Sequence, residues 1–298
     1  MSVKGLITAM VTPMKDGSID EQGTCQLVNH LIAHGVDGLF VLGTNGEFHV
    51  LSREEKISFT RLVVQLSNGR VPVYAGSGGN STQEVIELSS ELQKTGITTL
   101  SVITPYMVPL TQQELIRHYE AVADVTEVPI LLYNIPKNTG NNILPETAAR
   151  LARHKNIIGI KDSSGDIEQI QQYIEAAKGQ DFAVLSGSDS LILKALKLGA
   201  KGAVAATSNL LTDIDVAIVR LYEQGKLKEA QDMQEQIEPL RRVLKLGSIP
   251  SVLKAAMNLA QLPAGECRAP IIMPCDSVCA EIREMLKYYD KKGEQKHV

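Results

Sequence analysis

Eight short apolar, β-branched runs recur along the chain, each separated from the next by room for one helix. This alternation narrows the available folds more than any other feature. The runs are GLITAMV (5–11), DGLFVLG (37–43), VPVYAG (71–76), TTLSVIT (98–104), VPILLYN (128–134), NIIGIKD (156–162), FAVLSG (182–187) and GAVAAT (202–207). Each is too short and too β-branched for a helix, and each ends in polar or turn residues. None alternates with polar residues, the pattern expected of parallel strands covered on both faces.

Amphipathic helices fill the gaps. Ser52 with Glu55, Ser81 with Glu84 and Thr111 with Glu114 read as S/T-x-x-E capping boxes. Phe59, Leu62, Val63 and Leu66 then mark one buried helical face. Gly35, Gly69, Gly96 and Gly199 stand where helices should stop. Eight strand–helix units over about 225 residues predict an α/β chain folded as a (β/α)8 TIM barrel. No G-x-G-x-x-G follows the first run, which weakens a dinucleotide-binding sheet. Beyond the eighth unit, 226–246, 249–261 and 276–292 read as helices. The expected organisation is therefore a barrel over 1–225 that carries the active site, and a helical extension over 226–298 packed on it. Its last residues, GEQKHV, are expected to fray.

Charge and composition exclude several classes. Thirty Lys+Arg against 34 Asp+Glu give −4, spread along the chain, with no cationic cluster for nucleic acid or an acidic membrane surface. Four Phe, eight Tyr and no Trp leave little for stacking on single strands. No apolar run approaches the roughly 18 residues of a spanning helix. MSVKGLITAMVTP lacks a secretory cleavage site and reads better as a first strand, so a cytoplasmic protein is expected. Cys275 and Cys279 have a usable zinc spacing, but no His is nearby and no second pair exists. Together with Cys25 and Cys267 they are expected to be reduced thiols, with no metal.

In a barrel of this kind the chemistry lies at the C-terminal ends of the strands. Lys161 closes the apolar run IIGIK. It reads either as an ion-pair partner of Asp162 or another rim carboxylate, or as an amine that forms a Schiff base with a keto group. Desolvation in a barrel mouth favours the neutral amine that such chemistry needs. Tyr133 ends ILLY on the preceding strand, either as a capping side chain or as a proton shuttle to the lysine. In GTNGE (43–47), Thr44 and Asn45 sit between glycines that let backbone N–H groups converge on a carboxylate; taken alone, such a loop is also simply a turn. His49 and Asp162 are given structural readings, and His118 is placed on a solvated helix face. Neither SGSDS (186–190) nor TSN (207–209) carries the cation a phosphorylated substrate would want.

With GTNGE, YNIP and GIKD on strands two, five and six, the chain resembles the dihydrodipicolinate synthase / N-acetylneuraminate lyase family of class I aldolases over essentially its whole length. The resemblance implies a homotetramer of barrels acting on a small 2-oxo acid, pyruvate, bound as an imine, with no metal or organic cofactor. By that match Lys161 resembles the Schiff-base lysine and Tyr133 the general acid/base. Thr44 and Asn45 match the carboxylate cradle, and Val204 matches an apolar contact to pyruvate. Three positions depart from the lysine-pathway synthases. Asn138, a candidate substrate contact, replaces their arginine, Met107 replaces a tyrosine of the proton relay, and Asn45 replaces a threonine. TNGEF at 44–48, AGSG-x-x-ST at 75–82, P-x-NTG at 136–140, KDSSGD at 161–166 and CRAP at 267–270 look closer to the 4-hydroxy-2-oxoglutarate and 2-keto-3-deoxy sugar acid aldolases. Cleavage of a 4-hydroxy-2-oxo acid to pyruvate and an aldehyde is therefore the expected activity. The alternative is condensation of pyruvate with aspartate semialdehyde, and a third reading is a non-catalytic keto-acid-binding protein.

Overall fold

The computed structural model describes residues 3–294. All eight runs form strands: β1 Gly5–Ala9, β2 Gly38–Val41, β3 Val73–Ser77, β4 Thr99–Ile103, β5 Ile130–Asn134, β6 Ile157–Asp162, β7 Ala183–Ser186 and β8 Gly202–Ala205. They are parallel and close into a barrel, because Ile7 of β1 lies in register with both Gly38 of β2 and Val204 of β8.

A strand turns successive side chains to opposite faces, so a closed sheet has an inside and an outside. Ile7, Ala9, Phe40, Tyr74, Leu131, Ala183, Leu185 and Val204 form the interior cluster. Residues of the other parity, among them Leu6, Leu39, Leu100, Leu132 and Ile160, pack with the helices in a second, larger core. Both faces are apolar, which is why the runs show no alternation. On β6 the same rule turns Lys161 inward and Asp162 outward.

The helices begin where the caps predict. Ser52 and Thr111 complete full capping boxes with Glu55 and Glu114. Ser81 accepts from the Glu84 N–H, but the Glu84 carboxylate turns to the Asn80 N–H instead, so this box is half made. Gly35, Gly69, Gly96 and Gly199 all adopt left-handed backbone at helix ends. An unforeseen two-strand hairpin, Met14–Lys15 with Ser18–Ile19, turns on Asp16–Gly17 with both φ angles positive.

After β8 no strand forms among the described residues. The helix expected over 226–246 is broken into Leu227–Gln236 and Glu238–Val243, with Pro239 in the first turn of the second piece. Ile249–Leu259 and Asp276–Glu294 follow. Residues 295–298 of GEQKHV lie outside the described residues. Ile237, Leu240, Val252, Leu253, Met257 and Ile282 join the outer core of the barrel. Among the described residues no helix is long and apolar enough to cross a membrane. All four cysteines are unpaired.

One placement is corrected. His118 is 4% exposed, not solvated, and its Nδ1 lies 3.0 Å from Thr82 Oγ1. Burial pushes its imidazole down to about 4. The folded chain thus keeps His118 neutral where the unfolded chain, near 6.5, protonates it. Its contribution is complete above pH 6.5 and is lost as the pH falls toward 4, a total of about 3 kcal/mol. Chemical denaturation at stepped pH should show His118→Gln losing less stability than wild type across that window.

Candidate active site

Lys161 and Tyr133 are lateral neighbours, paired across β5 and β6 at equal register. Both side chains enter the barrel mouth at 4% exposure. The Lys161 amine stands 4.2 Å from the Tyr133 ring centre and 4.6 Å from that of Phe40. Phe40 is fully buried and meets Tyr133 edge-on, with ring centres 6.3 Å apart.

Asp162 turns away from the mouth that Lys161 enters. Its carboxylate accepts from Asn134 Nδ2 at 2.8 Å, Gln169 Nε2 at 3.1 Å and Ser164 Oγ at 2.5 Å. Burial pushes its pKa up, and these donors hold it down. Lys161 therefore has no ion pair with it, and none within bonding distance among the described residues. Asp189, 2% exposed, accepts from the Ala206 N–H at 2.9 Å and Arg241 Nη1 at 3.1 Å. Burial pushes its carboxyl up, while the charges of Arg241 and, more weakly, Lys161 hold it down.

The turn after β2 supplies the third group. Gly46 N–H donates to Gly43 O at 3.0 Å, Glu47 N–H to Thr44 O at 3.2 Å, and Thr12 Oγ1 to Gly46 O at 2.7 Å. Held this way, Thr44 Oγ1 lies 3.2 Å from Tyr133 Oη. A cleft of about 250 Å³ opens beside it, lined by Thr44, Phe48, His49, Ile103, Tyr106, Asn138 and Thr139. Lys161, Tyr133 and Thr44 are thus brought together, and Asn138 faces the same cleft as Thr44. Asn45 is half-buried in the turn, and among the described residues its side chain bonds none of the other candidates. Val204 lies 2% exposed in the interior cluster with Ile7 and Phe40. Met107 is 84% exposed, with φ +81°. A buried amine between aromatic faces, beside a hydroxyl pair and an open cleft, can add to a carbonyl and exchange protons with the adduct.

Sequence reasoning missed Phe40, Asp189 and the partners of Glu47. The inward parity of β2 could have found Phe40. Nothing local could have found Lys254, which meets Glu47 from the helix Ile249–Leu259.

Residues 2–288 match the Dihydrodipicolinate synthetase family. The chain belongs to that family. It is 39% identical over 273 residues to 4-hydroxy-tetrahydrodipicolinate synthase 1 of Halalkalibacterium halodurans, covering 91% of this chain and 92% of the relative. The synthase of Oceanobacillus iheyensis is 36% identical over 291 residues, covering 97% and 98%. Among solved structures, the 4-hydroxy-tetrahydrodipicolinate synthase of Methylacidiphilum fumariolicum SolV superposes with a TM-score of 0.95 at 36% identity, covering 99% and 98%. The chloride-inhibited dihydrodipicolinate synthase of Acinetobacter baumannii, complexed with pyruvate, gives 0.93 at 33%, covering 96% and 98%. A monomeric dihydrodipicolinate synthase variant gives 0.93 at 34%, covering 95% and 96%. Family membership makes this chain an enzyme of carbon–carbon bond chemistry.

These relatives overturn the expected branch. At 35–39% identity over most of the chain they are named 4-hydroxy-tetrahydrodipicolinate synthase, not aldolases of hydroxy-oxo or deoxy sugar acids. The structure explains the misreading, because the motifs that suggested those aldolases hold the fold together. In TNGEF, Glu47 is a buried ion-pair partner. In AGSG, a Cβ on Gly76 would stand 2.2 Å from the Leu42 carbonyl oxygen. In KDSSGD, Asp166 caps the helix Ile167–Ala176. In CRAP, Arg268 grips Glu55. Asn138 and Met107, the departures used against the synthases, are both exposed.

Proposed function

We propose that this chain is a 4-hydroxy-tetrahydrodipicolinate synthase, which condenses pyruvate with aspartate semialdehyde through an imine on Lys161. The unpaired, buried Lys161 amine beside Tyr133 carries the reading, and the names of the relatives support it. Lys161 adds to the C2 carbonyl of pyruvate and water leaves, giving an iminium. Loss of a C3 proton yields an enamine, the carbon nucleophile. Thr44 and Asn45 hold the pyruvate carboxylate, and Val204 packs against its apolar side. The enamine attacks the aldehyde carbon, and Tyr133 donates the proton that the new alkoxide takes. The semialdehyde's amino group then displaces Lys161 from C2, closing the ring and freeing the enzyme. No step calls on a metal or an organic cofactor, and the homotetramer implied by the resemblance belongs to the proposal.

Asn138 is the specificity question within this reading. A neutral amide cannot grip the second carboxylate as a guanidinium does, so the semialdehyde is held less tightly at this edge of the cleft.

Borohydride reduction in the presence of pyruvate should fix one adduct on Lys161, located by peptide mass mapping. An adduct elsewhere, or none, defeats the proposal. Tyr133→Phe should keep that adduct while turnover falls about 10²- to 10⁴-fold. Near-normal turnover would move the proton transfer to another group. Asn138→Arg should raise kcat/KM for aspartate semialdehyde by about 10- to 150-fold, the worth of a charged hydrogen bond. Steady-state kinetics at saturating pyruvate checks this, and no gain would place the second carboxylate elsewhere.

A further inference from the structure

Glu47 and Lys254 form an ion pair 2.5 Å apart in which neither side chain has any solvent exposure. Desolvation largely offsets the attraction in such a pair, so it is weak evidence of stability. Its location is the informative part. Glu47 is the last residue of the GTNGE turn, in left-handed backbone at φ +55°. Its amide bonds the Thr44 carbonyl, so a displaced Glu47 carries Thr44 with it.

Among the described residues, the carboxylate takes its ion-pair and hydrogen-bond partners from the C-terminal segment. Besides Lys254, the Arg268 N–H donates to Glu47 Oε2 at 2.9 Å. Burial, with that carboxylate beside it, pushes the Cys267 thiol up to about 12. Lys254 is itself fixed by donating to Glu266 O at 2.7 Å. Arg268 then reaches past Glu47 to Val50 O at 3.1 Å and forks onto Glu55 at 2.7 and 2.8 Å. The chain on the C-terminal side of Thr44 and Asn45 is thus clamped by residues that lie outside the cleft.

We propose that Lys254 is a positioning residue: by holding Glu47 it sets the Thr44–Asn45 turn at the height where it receives the carboxylate of a 2-oxo acid and where Thr44 meets Tyr133. The helix Ile249–Leu259 thereby controls affinity for pyruvate without touching it. This rests on the proposed function, since the carboxylate cradle belongs to that reading.

The test compares wild type, Lys254→Arg and the double variant Glu47→Gln/Lys254→Met. It reads thermal melting, the pyruvate concentration that half-saturates borohydride trapping on Lys161, and KM for aspartate semialdehyde. Removing both charges together should leave a cooperative melt near that of wild type. Half-saturation should nevertheless need roughly 10- to 100-fold more pyruvate, the range that a misplacement of about 1 Å reaches, while KM for the semialdehyde stays put. Lys254→Arg, which restores the charge, should recover trapping toward wild type. The positioning role is overturned by a folded double variant with wild-type pyruvate half-saturation, by equal rises in both constants, or by failure of both variants to fold, which would make the pair a stability element. Wild type that is not trapped at all defeats the Schiff-base reading and this inference with it. Normal wild-type trapping with unchanged variants defeats this inference alone.

Discussion

Closure of the eight-strand sheet is the constraint on which the rest depends. Once Ile7 is in register with both Gly38 and Val204, every strand residue is assigned to the inside or the outside, because a one-residue slip would exchange the two faces. Closure therefore decides that Lys161 enters the mouth while Asp162 leaves it for Asn134, Gln169 and Ser164. It also sets Tyr133 against Lys161. Two adjacent ionisable residues on one strand acquire unrelated environments from parity alone.

The strand and helix order was legible because it is written in local periodicity. Seven of the eight strands fall inside the runs that named them, Val73–Ser77 ends one residue past its run, and two of three capping boxes close in full. Lys161, Tyr133 and Thr44 were legible as a group because each ends a strand or follows one. What could not be read depends on contacts distant in sequence. The Glu47 partner lies on a helix near the other end of the chain. His118 looks solvated beside Arg117, yet helix packing buries it against Thr82. The break at Ile237 was missed because Pro239 stands in the first turn of the helix that follows, where proline is tolerated and the apolar period runs on.

The branch of the family was misread for a related reason. A motif has no label saying whether it faces substrate or neighbour. Glu47, Gly76, Asp166 and Arg268 look like signatures of a chemistry, and in the fold each closes a packing or bonding requirement. Asn138 and Met107 are exposed, where a substitution costs the fold little, so their identity alone does not assign the branch.

Tyr133 and Lys161 are held by ladder hydrogen bonds between neighbouring strands, whereas Asn138, on the one-turn helix Pro136–Thr139, and Met107 sit in the connections that follow β5 and β4. The spacing of the first pair is a property of the backbone and is inherited by any sequence that closes this barrel. The connections carry no such obligation. Lineages can therefore rewrite the rim while the spacing of Lys161 and Tyr133 passes on untouched. Evolvability here is a matter of which residues the hydrogen-bonded ladder leaves free to drift.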